Sequence, residues 1–352
     1  MAAGVVIRLD TASCVVFAEG RAIRCTLPGK WRLARGGQTR PIAAGDRVQF
    51  SEPPTGEGVI ERVEPRHGGK LARRAAGDRD VEQVVAANVD QLVAVMAVAD
   101  PPLNRGLLDR LIVSGEHGEL AVVVCINKVD LVDADLRFAT CDLLSQGEPP
   151  EPQSAIEGVA HAVAEVEGLL GLYRRLGYAA LATSATRGVG VAELREVLRG
   201  KTSVFAGPSG VGKSALLMAV QPGLELKVEP VSSATGKGRH TTTAVSLLPL
   251  EGGGFVVDTP GIREFALYDM ERDELKHYFP EMAERFGQCR FADCAHLREP
   301  GCAVVAAVEA GQIDPGRYES YCRIYESLPA PDPARRAASA RRGEPGEARR
   351  KR

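Results

Sequence analysis

Long apolar runs are missing from this 352-residue sequence. No stretch approaches the ~18 uninterrupted apolar residues of a membrane span, so no transmembrane helix and no membrane partner are expected. The opening "MAAGVVIRLDTASC" has no basic segment ahead of an extended apolar core, so no secretory leader is read there. Those two absences point to the cytoplasm. In that reducing compartment the eight cysteines are expected as core residues or metal ligands rather than disulfides. Acid is absent from residues 21–40, which hold Arg21, Arg24, Lys30, Arg32, Arg35, Arg40 and the single tryptophan, Trp31.

What is present is globular in character, with 44% hydrophobic and 26% charged residues. The net charge of −2 hides an asymmetry: residues 1–66 carry ten Lys/Arg against seven Asp/Glu, and residues 331–352 carry eight against three. The ends are basic and the body is acidic. "VVIRLD", "CVVFAEG", "RAIRCTL", "DRVQF" and "GVIERVE" read as five short strands divided by turn residues. Such a set over residues 1–68 suits a small OB-fold-like barrel. Its acid-free stretch with Trp31 reads as an RNA-binding surface. A solvated basic loop is the plainer alternative.

From residue 85 the pattern changes. "VDQLVAVMAV" and "ELAVVVCINK" are continuous apolar runs, the signature of parallel strands covered on both faces. Between them "NRGLLDRLIVSGEHG" has helical spacing, and "SVFAG" and "GGFVVDTPG" are two more buried-strand candidates. A doubly wound α/β domain is therefore expected over residues 69–278. Residues 279–328 read as a helical domain around a Cys/His cluster, and 329–352 as a basic, disordered tail.

"GPSGVGKS" (207–214) fits the G-x-x-x-x-G-K-[ST] phosphate loop. Gly207, Pro208, Ser209, Gly210, Val211 and Gly212 would form the loop, its glycines letting the backbone N–H groups, which Pro208 lacks, turn toward phosphate. Lys213 would reach the β/γ oxygens, Ser214 would complete a Mg²⁺ shell, and Ala215 would continue into the helix. In "NKVD" (127–130) a carboxylate at Asp130 accepts from both N1–H and N2–H₂ of guanine, which adenine does not offer. The Lys128 stem would lie along the base, Val129 would carry the turn, and Asn127 would tie the turn to the phosphate loop. "TSATRG" (183–188) places Ser184 and Ala185 in a loop whose backbone amide would meet guanine O6. "DTPG" (258–261) would hold the Mg²⁺ water shell through Asp258 and sense the γ-phosphate through the Gly261 amide. In "GKGRHTTTA" (236–244) a switch threonine would bind Mg²⁺: Thr242, with Thr241 and Thr243 as alternatives.

The five elements occur as a cyclic rotation of their usual order. Finally, "CRFADCAHLREPGC" offers Cys289, Cys294, His296 and Cys302 as a closed, tetrahedral structural Zn²⁺ site.

The rotated order, "GPSGVGKS", "GRHTTT", "DTPG", the N-terminal barrel and the C-terminal Cys/His cluster together resemble the RsgA family of small-ribosomal-subunit-dependent GTPases. The resemblance covers about residues 1–325. It implies a multidomain α/β protein with a circularly permuted P-loop GTPase domain, and GTP hydrolysis to GDP stimulated by the 30S subunit during late maturation. The partners expected are the 30S particle and 16S rRNA, bound by a monomer. Residues 145–170 look longer and looser than the family's linker, and the Arg-rich tail departs from the family pattern as well. Ile262 stands where many GTPases carry a glutamine, so slow intrinsic hydrolysis is expected. His240 is the candidate to orient the attacking water, with a plain switch role or an RNA contact as the alternative. Two readings from other classes stay open: a passive RNA-binding protein with structural nucleotide, and a P-loop kinase or ATPase.

Overall fold

The computed structural model describes residues 1–10, 13–28, 42–52, 57–75, 78–132, 152–224, 245–258 and 270–329. Lys30, Trp31, Arg32, Arg35, Arg40, Cys141, His240, Thr241, Thr242, Thr243, Gly261 and the tail lie outside them. Two compact units are formed, Met1–Ala266 and Leu267–Arg352.

The first unit begins with five strands: β1 (Ala2–Leu9), β2 (Ser13–Ala18), β3 (Arg21–Thr26), β4 (Arg47–Ser51) and β5 (Gly58–Val63). They run in the order β1-β2-β3-β5-β4, and β4 returns to pair with β1, which closes the barrel. Alternation explains the closure. Val6, Cys14, Val16, Cys25, Val48, Phe50 and Ile60 point inward and are inaccessible to solvent. Burial pushes the Cys14 thiol up to about 12 and Cys25 to about 11, so both act as small hydrophobes.

Two cations of the basic stretch, Arg21 and Arg24, are paired. Arg21 meets Glu52 in a two-pronged pair at 3.1 and 2.8 Å, and Arg24 meets Glu57 at 3.0 Å. These acids come from β4–β5, outside the window in which none was found.

Next comes a hairpin, β6 (Gly69–Ala75) and β7 (Asp78–Val89), in a two-stranded sheet of its own. The apolar run read from Val89 starts on the last residue of β7, and β8 opens at Gln91. Asn88, within β7, has φ 52°, and its side chain donates to the Gly45 carbonyl at 2.9 Å.

The main sheet holds β8 (Gln91–Ala97), β9 (Ala121–Asn127), β10 (Ala179–Ala182), β11 (Thr202–Ala206), β12 (Ser246–Pro249) and β13 (Phe255–Asp258). Its order is β10-β9-β8-β11-β13-β12, parallel from β10 to β13, with β12 antiparallel. Helices cover both faces: α1 (Arg105–His117), α2 (Pro152–Arg175), α3 (Val191–Leu198) and α4 (Lys213–Val220). Leu92, Ala94 and Met96 pack in one cluster with Leu108, Ile112 and Leu170; Val93, Val95 and Ala97 pack in the other with Leu194, Leu216 and Leu217. A strand covered on both sides has no polar face, hence the continuous apolar run. Among the described residues, one pairing, Arg8 with Ser246, joins the barrel to this sheet through β1 and β12.

The expectation of a loose linker over 145–170 is corrected in part, because residues 152–170 belong to α2. Val166, Leu169, Leu170 and Tyr173 are buried at the i, i+3, i+4, i+7 spacing of one helical stripe. The prolines before residue 153 drew attention away from that stripe.

The second unit contains a 3₁₀ segment (Arg272–Tyr278), α5 (Pro280–Ala283), α6 (Ala303–Glu309) and α7 (Pro315–Ser327). Arg317 is fully buried, paired with Glu281 at 2.7 Å and lying over the Phe279 ring at 4.5 Å. Removing either partner of such a pair strands a buried charge, at roughly 3–5 kcal/mol.

Candidate functional site

The strand order of the main sheet reverses between β8 and β11, because β8 leads outward to β9 while β11 leads the other way to β13. Open α/β sheets bind ligands outside the carboxyl ends of their strands at such a point. "GPSGVGKS" occupies it, between β11 and α4. Gly207 and Gly212 have positive φ, at 152° and 92°. A Cβ on Gly207 would sit 2.1 Å from the Val95 carbonyl oxygen of β8, and one on Gly212 would sit 2.4 Å from the Asn127 amide nitrogen. Neither position tolerates a side chain. The Lys213 ammonium folds back over the loop and donates to the Gly207 and Pro208 carbonyls, both at 2.8 Å. Positive charge thus stands at the loop, beside the first turn of α4. Val211 is buried beneath it, while Ser209, Gly210 and Ser214 are exposed.

Asn127 ends β9. Its Nδ2 donates to the Val211 carbonyl at 2.8 Å, and its Oδ1 accepts from the Thr183 hydroxyl at 3.1 Å. One buried amide therefore joins the "NKVD" turn, the phosphate loop and the "TSATRG" loop. Lys128 follows in a left-handed conformation, with φ 61°, and Val129–Leu131 forms a 3₁₀ turn. The Lys128 ammonium donates to the Asp100 carbonyl.

Asp130 faces Ser184 and Thr186. The Ser184 hydroxyl donates to Oδ1 at 2.5 Å and the Thr186 hydroxyl to Oδ2 at 3.1 Å. Partial burial works to raise its pKa. Against that, the Ser184 bond, its own backbone amide, the Thr186 bond and the Arg187 charge together hold the carboxyl below its ordinary value. The side chain is therefore an acceptor at neutral pH. Ala185 is half-buried against the core beside α3 and α4, and the loop closes through Ser184 N–H to the Val189 carbonyl at 3.0 Å.

Asp258 ends β13, the neighbour of β11 on the side away from β8, so it shares the carboxyl edge with the phosphate loop. The structure thus brings Asn127, Asp130, Ser184, the phosphate loop and Asp258 to one sheet edge. Thr186 was not singled out in the sequence; its signal was a hydroxyl two residues after the serine.

In the second unit, one donor atom each from Cys289, Cys294, His296 and Cys302 lie within 4.8 Å of one another. The Cys289 and Cys302 sulfurs are 3.9 Å apart, and His296 Nδ1 is 3.4 and 3.6 Å from them. An ion ~2.3 Å from sulfur and ~2.05 Å from nitrogen in a tetrahedron requires edges of about 3.8 Å and about 3.5 Å. Cys289, His296 and Cys302 stand close to those spacings, and with Cys294 within 4.8 Å the four donors could hold a metal ion. Burial pushes the Cys294 thiol up to about 12, and burial with the nearby Lys276 charge holds His296 below its ordinary value. The imidazole is accordingly in its neutral, ligating form.

Glu299, also not singled out in the sequence, holds this loop. Its carboxylate accepts from the amides of Ala295 and Leu297, both at 2.8 Å, and of Arg298 at 3.0 Å. Tyr321 donates to the Ala295 carbonyl at 2.6 Å, and Tyr318 to that of Leu297. His296 is thereby fixed at φ 61°, a left-handed conformation that a histidine does not favour unaided.

A phosphate loop on the switch point of a parallel sheet, joined by Asn127 to a turn that precedes it in sequence, defines the class: a P-loop GTPase domain in circularly permuted order, behind a small barrel. The family model for the RsgA GTPase matches residues 63–147 and 157–268. The "Small ribosomal subunit biogenesis GTPase RsgA" of Chlorobaculum tepidum is 40% identical over 92% of this chain and 97% of its own length. That of Moorella thermoacetica is 42% identical over 87% and 90%. Among solved structures, YjeQ from Thermotoga maritima aligns at a TM-score of 0.69 and 37% identity, covering 93% of this chain and 98% of its own. YloQ, described as a circularly permuted GTPase, aligns at 0.63 and 29%, covering 93% and 94%. The chain belongs to the RsgA GTPase family. It is an enzyme that hydrolyses GTP to GDP and phosphate, and the family implies a guanine nucleotide with Mg²⁺.

Proposed function

We propose that this chain is a ribosome-biogenesis GTPase that binds the 30S subunit and 16S rRNA and is stimulated by that particle during late maturation. The observation that carries the reading is the convergence of the guanine-reading turn, the phosphate loop and Asp258 on one sheet edge, in a chain whose relatives are named for small-subunit biogenesis. In this reading Asp130 reads guanine, Lys213 and Ser214 hold the phosphates and Mg²⁺, and Asp258 orders the metal's water shell. His240 orients the nucleophile; Thr242 and the Gly261 amide respond to the γ-phosphate. The Cys289–Cys294–His296–Cys302 cluster holds structural zinc, the usual occupant of a tetrahedral three-thiolate, one-imidazole set.

The division of labour is barrel 1–68, permuted GTPase 69–278, zinc-binding domain 279–328 and basic tail 329–352, acting as a cytoplasmic monomer. Arg21 and Arg24 are already paired, so the barrel's RNA contacts fall to Lys30, Trp31, Arg32, Arg35 and Arg40. Permutation places both switches before the zinc-binding segment, with Cys289 only 28 residues beyond Gly261. The test is steady-state GTP turnover of the full chain with and without purified 30S subunits, with GTP and ATP compared as substrates.

A further inference from the structure

Asp130 has two carboxylate oxygens and about four acceptor directions. The Ser184 hydroxyl takes one on Oδ1 and the Thr186 hydroxyl takes one on Oδ2. The two hydroxyls lie 3.1 Å apart, and the Arg187 amide donates to the Ser184 hydroxyl oxygen at 3.1 Å. That last bond uses one of the serine's acceptor directions and turns its proton toward Asp130. Each carboxylate oxygen thus carries one hydroxyl bond, and Asp130's own backbone amide also draws on the carboxylate. Guanine presents two donors side by side, N1–H and N2–H₂, to the acceptor directions that remain.

Both hydroxyls come from one short loop. It is closed by Ser184 N–H to the Val189 carbonyl at 3.0 Å, so Thr186 reaches Asp130 because the turn carries it there. Its side chain is exposed and contributes nothing to either core cluster. The bond to Asp130 is thus separable from folding.

From this juxtaposition we infer that Thr186 is a specificity-determining positioning residue, whose hydroxyl holds Oδ2 of Asp130 in the orientation that reads the 2-amino group of guanine. The inference rests on the assignment of Asp130 to guanine recognition. The carboxylate's χ2 is a broad, shallow torsion, so the Ser184 bond to one oxygen restrains it only in part. A second tether on the other oxygen narrows it further. The hydroxyl matters most for a base that carries the 2-amino group, and least for hypoxanthine, which lacks it.

The test uses the full chain and four diphosphates, GDP, IDP, XDP and ADP, in competition with a fluorescent GDP. Thr186→Val keeps the shape and removes the hydroxyl. It is expected to lower the preference for GDP over IDP by about 3- to 10-fold, the scale of an ordinary hydrogen bond, as suits an exposed hydroxyl. Thr186→Ser is expected to restore the preference. Equal weakening of GDP and IDP, or no change in either, would overturn the inference, since a merely structural loop residue would not alter the ratio. Asp130→Asn is measured alongside. If it moves preference to XDP while Thr186→Val leaves the GDP/IDP ratio untouched, the inference fails and the guanine assignment stands. If Asp130→Asn also retains full GDP preference, the guanine assignment itself fails.

Discussion

Asn127 and Val211 stand 84 residues apart in sequence, yet the side-chain amide of the first donates to the carbonyl of the second at 2.8 Å. The bond crosses the permutation. It ties a turn that precedes the phosphate loop in the chain to the loop itself, with Asn127 almost wholly buried. Asn127→Ala should strand the Val211 carbonyl and cost the Thr183 hydroxyl one of its partners, at about 1–3 kcal/mol of local stability. The expected outcome is a lowered thermal midpoint together with weakened GDP binding. Unchanged values in both would remove the joint from the account.

Asp130→Asn should shift the site from guanine toward xanthine, because the new amide donates where the carboxylate accepted. Competition between GTP and XTP measures it, and persistent GTP preference contradicts the assignment. The hydrogen bonds that hold Asp130 below its ordinary value add a pH expectation. A depressed folded-state pKa contributes stability that is present above the unfolded value of about 3.9 and is lost as pH falls through the lower folded value. Guanine preference should therefore be level from about pH 7 to about pH 5, well above the range in which this carboxyl titrates. A decline across that interval would show the carboxyl raised above its ordinary value, contrary to the hydrogen bonds that hold it down.

Much of the nucleotide site is legible in the sequence because each part is a short contiguous string: Gly207 to Ser214, Asn127 to Asp130, Ser184 with Ala185. The barrel strands and β8 are legible for the same local reason, alternation in one case and continuous burial in the other. What escapes is whatever depends on approach through space. Glu299 and Thr186 act on neighbours their own turns bring close, and no periodicity marks them. The Glu52 and Glu57 partners of Arg21 and Arg24 lie 31 and 33 residues away, so a window of composition shows only the cations. Prolines hid the start of α2, although Val166, Leu169, Leu170 and Tyr173 carry an ordinary helical stripe.

Glu299→Gln should loosen the metal loop, since an amide group cannot accept three backbone N–H bonds as a carboxylate does. With Co²⁺ as the probe, the parent should show the visible absorption of a tetrahedral three-sulfur, one-nitrogen site. The variant should lose metal to a chelator roughly tenfold faster or more, the scale of lost support around metal ligands. Equal release rates in parent and variant would reduce Glu299 to a turn residue.

His240→Ala should leave GTP affinity near that of the parent and reduce 30S-stimulated turnover by about 10²-fold or more, the scale of a positioned catalytic group. Single-turnover hydrolysis at saturating GTP separates the two effects. Lost affinity with unaltered turnover would assign His240 to the switch alone.

The central claim is a GTP hydrolase timed by the small ribosomal subunit. It is tested most directly by phosphate release from saturating GTP at fixed enzyme concentration, with 30S subunits titrated from zero. The account predicts slow release without the particle and a saturable rise with it, abolished in Lys213→Ala and absent with ATP. A rate indifferent to 30S subunits at every concentration would contradict it.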